Sequence, residues 1–113
     1  MSQEMFEQVE IDIHTAKALI RKGEALHRLR NNQDFRDVIS EGYFVDDAVR
    51  LVHLKCSPAM QNDKEQAGIN KSIDAIGSLS IYFSALITQA EMAKSSLAED
   101  ENTLAEMSQE GEL

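Results

Sequence analysis

Two pairs of residues in this chain have the types and spacing that could do chemistry. His53 and Cys56, within HLKCSPAMQNDKEQ (53–66), stand three apart. A helix puts such a pair on one face, where imidazole and thiolate could hold a metal or form an activated nucleophile. Glu24-Ala-Leu-His27 matches half of the Glu-x-x-His motif that di-iron helical bundles repeat on two helices. Neither pair is completed. A zinc site needs a second pair of ligands, and the other histidines, His14 and His27, fall on a different expected helix, the nearer one 26 residues upstream of His53. The long C-terminal helix offers neither His nor a seam Glu to complete a di-iron site. Glu10 and His14 form an ordinary helix-surface pair. There is no Gly-rich phosphate loop, no Gly-x-Ser-x-Gly and no pocketed acidic pair. No catalytic, cofactor-binding or metal-binding residue is assigned, and no enzyme is expected. Cys56 directly precedes Ser57-Pro58, where a helix ends and the chain turns.

The elements that would carry any site are helical. The chain has 113 residues, 42% apolar and 5% aromatic, with no Trp, one Pro and five Gly. So little punctuation leaves no room for strands and tight turns, and the length is that of a single domain over 1–113. The net charge of −9 disfavours adhesion to nucleic acid or an anionic membrane and favours a basic partner. One cysteine excludes an intramolecular disulfide, which fits a reducing compartment. The N-terminus, MSQEMFEQVEID, lacks the basic and apolar regions of a signal peptide. A cytoplasmic protein is expected.

Periodicity places the helices. Phe6, Val9, Ile13, Ala16, Ile20, Gly23, Leu26 and Leu29 form a narrow seam from about Gln3 to Arg30, close to a coiled-coil heptad. Gly23 in that seam marks a close helix–helix approach. NNQD (31–34) is a turn signal with Asn32 or Asp34 as N-cap. FRDVISEG reads as a short helix ended by Gly42, and YFVDDAVRLVHLKC as another with Phe44, Ala48, Leu51 or Val52 and Lys55 along one side. Phe35, Tyr43 and Phe44 would plug the end of a longer bundle. A second long seam follows Pro58: Ile69, Ile73, Ile76, Ser80, Phe83, Ile87, Ala90, Lys94 and Leu97. Phe83 is expected to face the first helix near Ile13 and Ala16. The acidic end, about 100–113, should fray as a mobile tail. The architecture expected is all-α: two long helices in an antiparallel coiled-coil-like hairpin with short helices at the elbow.

One stretch asks for a partner. Between Asp74 and Glu91 lie sixteen residues without charge, AIGSLSIYFSALITQA. They are too few, and too rich in Ser, Thr and Gln, to span a bilayer. Beyond the seam this helix carries Leu79, Ile81, Tyr82 and Leu86, spreading apolar surface over more than half its circumference. These four residues are the candidate protein interface, for a protein partner or a homo-oligomer, with neither membrane nor direct nucleic-acid binding. Charge is also segregated: residues 17–36 hold six basic side chains against two acidic ones, whereas both chain ends are acidic. In an antiparallel hairpin Glu4, Glu7, Glu10 and Asp12 would meet Glu99, Asp100 and Glu101.

The segments DFRDVISEGYFVDDAVRLVHLKCSPAMQ and INKSIDAIGSLSIYF resemble small, acidic, all-helical proteins encoded by tailed bacteriophages, over roughly residues 14–100. The shared texture is an EGYF elbow, a DDAVRLVHL helix and a long IDAIGSL helix. The resemblance implies a phage structural or assembly component, or a small early protein acting on the host, and it carries over no catalytic residue. Two functions are therefore expected in turn. One is a non-enzymatic virion or assembly protein that docks through its uncharged helix face. The alternative is an acidic inhibitor covering a basic surface of a host enzyme, whose binding would weaken steeply with salt.

Overall fold

A computed structural model describes residues 2–112 of the chain. In order, the elements are α1 (Gln3–Arg30), α2 (Gln33–Phe35), a π-helical run (Arg36–Asp47), α3 (Ala48–Lys55), a 3-10 turn (Pro58–Met60) and α4 (Asp63–Glu112). The fold is all-helical, 94% of it helix, with no strand among the described residues. Residues from 100 onward continue α4 as helix to Glu112.

Local chemistry sets the helix ends. Ser2 Oγ accepts the Met5 N–H at 3.2 Å, and Glu4 in the first turn of α1 and His27, Arg28 and Arg30 in its last turn match the helix dipole. Asn32, one of two expected caps, accepts the Phe35 N–H at 3.0 Å, and Asn62 does the same for Glu65 at 2.9 Å. Cys56 closes α3, Ser57 is extended (φ −67°, ψ 131°) as its proline requires, and Pro58 opens the 3-10 turn. Two glutamines stitch this turn: Gln61 donates to the Lys55 and Ser57 carbonyls and Gln66 to those of Lys55 and Met60, at 2.8–2.9 Å. They give donors to the last carbonyl of α3, at Lys55, and to carbonyls of the turn itself.

Gly42 does not end a helix. The chain stays helical from Gln33 to Lys55, and Gly42 sits inside the π-helical run. A Cβ on Gly42 would lie 2.6 Å from the carbonyl oxygen of Asp37, five residues back. The wider π turn brings that carbonyl against the Cα, so the glycine answers a close approach rather than a stop signal.

The helices gather into two compact units, one formed by the chain up to Leu26 with that from Ala85 onward, the other by His27–Ser84. In the first unit the N-terminal helix packs on α4, burying Ala16, Leu26, Ala90 and Ala93. Gly23 faces α4, where a Cβ would fall 2.5 Å from the Ala90 Cβ, the close approach its place in the seam indicates. In the second unit Leu51, Ile69 and Ile76 form the buried core, with Tyr43, Phe44, Ala48, Leu54, Met60 and Ile73 packed against it.

This packing corrects two sequence expectations and decides between the alternatives of a third. Ser80 and Lys94 are exposed, while Leu79 is half-buried and Ala93 buried. The polar seam positions stay in water and the apolar neighbours Leu79 and Ala93 are covered instead, because burying Ser80 or Lys94 would cost hydration that an apolar side chain does not lose. Leu51 rather than Val52 enters the core, leaving Val52 54% exposed. Phe83 does not meet Ile13 and Ala16. It lies 6.1 Å from Phe35 and 5.7 Å edge-on from Phe44 (ring centroids), with the Arg30 guanidinium 5.9 Å over its ring.

Candidate functional site

The residues with chemical potential do not converge. His53 and Cys56 are both exposed, and Cys56 is a free thiol at the end of α3. Glu24 and His27 are exposed, the His27 ring lying 3.2 Å from the Asn31 side-chain amide. Among the described residues no three His, Cys, Asp or Glu side chains gather where a metal could bind. Among the described residues the one displaced ionisation belongs to Arg50. Its hydrogen bond to Asp47 (2.8 Å), then the carboxylate's charge, raise its pKa above the usual arginine value. That pair is a solvated i,i+3 contact on the helix surface.

What the chain does present is uncovered surface of two kinds. The first is apolar. In the uncharged stretch Ile81 is 72% and Tyr82 54% exposed, while Leu79 and Leu86 are half-buried. Leu79, Ile81 and Tyr82 belong to the second unit and Leu86 to the first. Sequence reasoning missed a further row: Val45, Val49 and Val52, at i, i+4 and i+7, are 53%, 50% and 54% exposed. Their spacing was legible as a helical stripe, but only the burial of Leu51 beside them shows which way that stripe faces.

α4 also contains an 18-residue window of mean hydropathy 1.2, of which 11% is buried, and by length and composition such a helix could cross a membrane. Its charge-free core of sixteen residues covers about 24 Å at 1.5 Å per residue, short of a hydrocarbon layer of about 30 Å.

The second kind of surface is a groove in the first unit, of about 440 Å³ and open to solvent. Ala16, Leu19, Met92 and Ala93 supply its apolar lining, and Thr15, Gln89 and Ser96 its neutral polar groups. Asp12 from α1 and Glu99 and Asp100 from α4 also line it. The described lining includes no Lys or Arg. Asp12 accepts a 2.9 Å hydrogen bond from Gln8.

No protein-family model, curated protein or solved structure matches this chain. The two surfaces must therefore be read from their own chemistry. Charge divides them cleanly. The unit holding the groove carries twelve acidic and four basic residues, whereas His27–Ser84 carries eight and seven. Nearly all of the net charge of −9 thus lies with the groove, and the unit with exposed Ile81, Tyr82 and valines is almost neutral.

Proposed function

We propose that this protein is a non-enzymatic docking component that binds a protein partner, or a second copy of itself, through the uncharged face of α4. The observation that carries the reading is the 72% exposure of Ile81 within a sixteen-residue run that offers water no charge. Burying such a side chain is worth about 1.5–3 kcal/mol, so a complementary apolar surface gains by covering it and Tyr82. Leu79 and Leu86 flank the contact and complete the interface. The near neutrality of the second unit favours association there, because little like-charge repulsion opposes a second copy.

The scaffold is an antiparallel hairpin of α1 and α4. In support, Gly23 meets Ala90 while Asp12 shares a groove with Glu99 and Asp100, so positions rise along α4 as they fall along α1. The resemblance to small acidic phage proteins supports a structural or assembly role, exercised in the bacterial host cytoplasm or in the virion. A second reading, an acidic inhibitor that covers a basic surface of a host enzyme, is favoured by the concentration of charge around the groove.

Light scattering on the wild type and on Ile81→Glu tests the first reading. The wild type should exceed its 12.6 kDa monomer mass or carry a stoichiometric partner. Ile81→Glu should be monomeric and partner-free with an unchanged circular dichroism spectrum, since a charge at that position meets apolar surface only in the complex. A wild type that stays monomeric without a partner, or an Ile81→Glu chain that unfolds, sinks it.

A further inference from the structure

The groove between the N-terminal helix and α4 is a built surface whose shape and charge specify an occupant. Its floor is apolar at Ala16, Leu19 and Ala93, and Met92 stands beside it with 65% of its surface exposed. Asp12, Glu99 and Asp100 bring carboxylates from both walls, with no basic side chain among the described lining residues to answer them. Among the described residues the one ion pair is Asp47–Arg50, in the other unit, so none of them pairs a cation with these carboxylates within 4.0 Å.

We propose that this groove seats a basic amphipathic segment of a protein partner, an apolar side chain entering over Ala16 and Leu19 against Met92, and Lys or Arg side chains pairing with Asp12, Glu99 and Asp100. This deepens the inhibitor reading by naming the surface and the chemistry of its ligand, and it stands whether or not the Ile81 face is an interface.

Three chemistries compete for such a place, and the observations separate them. A bare cation site would gather carboxylates around a point, and no such cluster is present among the described residues. Nucleic acid and anionic lipid are repelled by the excess of twelve acidic over four basic residues in this unit. The basic stretch 17–36 of a second copy sets one exposed large apolar residue, Leu29, among six cationic side chains, too little to fill the floor. A separate segment that alternates large apolar and basic side chains at helical spacing satisfies floor and rim together. The field of the whole unit also accelerates its approach, which makes the association salt-dependent.

Fluorescence anisotropy with a labelled synthetic Leu–Lys amphipathic peptide, and a Leu–Glu peptide of the same pattern, tests this on the full chain. The Leu–Lys peptide should bind and the Leu–Glu peptide should not. The triple variant Asp12→Asn, Glu99→Gln, Asp100→Asn should weaken binding at least about tenfold. The triple Glu4→Gln, Glu7→Gln, Glu10→Gln removes the same charge outside the groove and should weaken it less than about threefold. Met92→Ser should weaken binding while leaving its salt dependence unchanged. On the wild type, titrated amide resonances of Ala16, Leu19 and Ala93 should shift before those of the second unit. Equal losses in the two triple variants, indifference to Met92→Ser, or shifts centred outside the groove would each overturn the proposal. A failure here with an intact Ile81→Glu effect would leave the first reading standing.

Discussion

Gly23 lies so close to α4 that a Cβ placed on it would come within 2.5 Å of the Ala90 Cβ. Both atoms are fixed to helical backbone, so neither can turn aside and the helices would have to part. Gly77 lies in the same long helix as Ala90, yet a Cβ there would meet nothing within 4 Å.

These two glycines give opposite predictions for one chemical change. Gly77→Ala should stabilise by about 0.5–1 kcal/mol, the gain of replacing a helix-interior glycine at an open site. Gly23→Ala should destabilise by about 1–2 kcal/mol, because overpacking of about 1–3 kcal/mol outweighs the same propensity gain. Thermal melts of the two variants, followed by circular dichroism, would show shifts of opposite sign.

Phe83 joins the aromatic side chains of the second unit, touching Phe35, Phe44 and the Arg30 guanidinium. Phe83→Ala should cost about 2–3 kcal/mol, below the 3–5 kcal/mol of a fully buried site because Phe83 is only half-buried. Phe44→Ala and the double variant should show the two losses to be non-additive, since the rings share one contact. Urea unfolding of the four chains measures the coupling.

Asn62→Ala removes the side chain that caps α4 through the Glu65 N–H at 2.9 Å. A loss of about 1 kcal/mol is expected. Amide exchange should speed up first at Glu65, which would lose its acceptor, while the Gln66 N–H keeps the Asn62 carbonyl at 3.0 Å; uniform acceleration along α4 would contradict the capping role.

Cys56→Ser should change stability by less than about 1 kcal/mol, since the thiol is exposed at a helix end and its backbone N–H already bonds the Val52 carbonyl at 3.3 Å. The variant should keep any partner the wild type binds. Loss of a metal or of activity in it would restore His53 and Cys56 as a site.

The helices, several of their ends and one close approach are written locally and can be read from the residues alone. Asn32 caps because its side chain reaches an N–H three residues on. Ser57 is extended because Pro58 follows it, and Gly23 falls in a seam of apolar residues. Each of these signals acts within a turn or two of helix, a range over which residue types decide the outcome.

Tertiary structure decided what those helices meet. Gly42 in FRDVISEG reads as a stop, yet the chain stays helical through it from Gln33 to Lys55. Periodicity put Ser80 and Lys94 on the seam, and packing covered their apolar neighbours Leu79 and Ala93 while leaving the hydroxyl and the ammonium in water. The choice of Leu51 over Val52, the gathering of Phe35 and Phe44 on Phe83, and the groove that Asp12 and Asp100 both line all join residues far apart in the chain. Periodicity tells which residues share a helix face. Which face is covered depends on the free energy of burying one surface against another, and that sum is made only in the folded molecule.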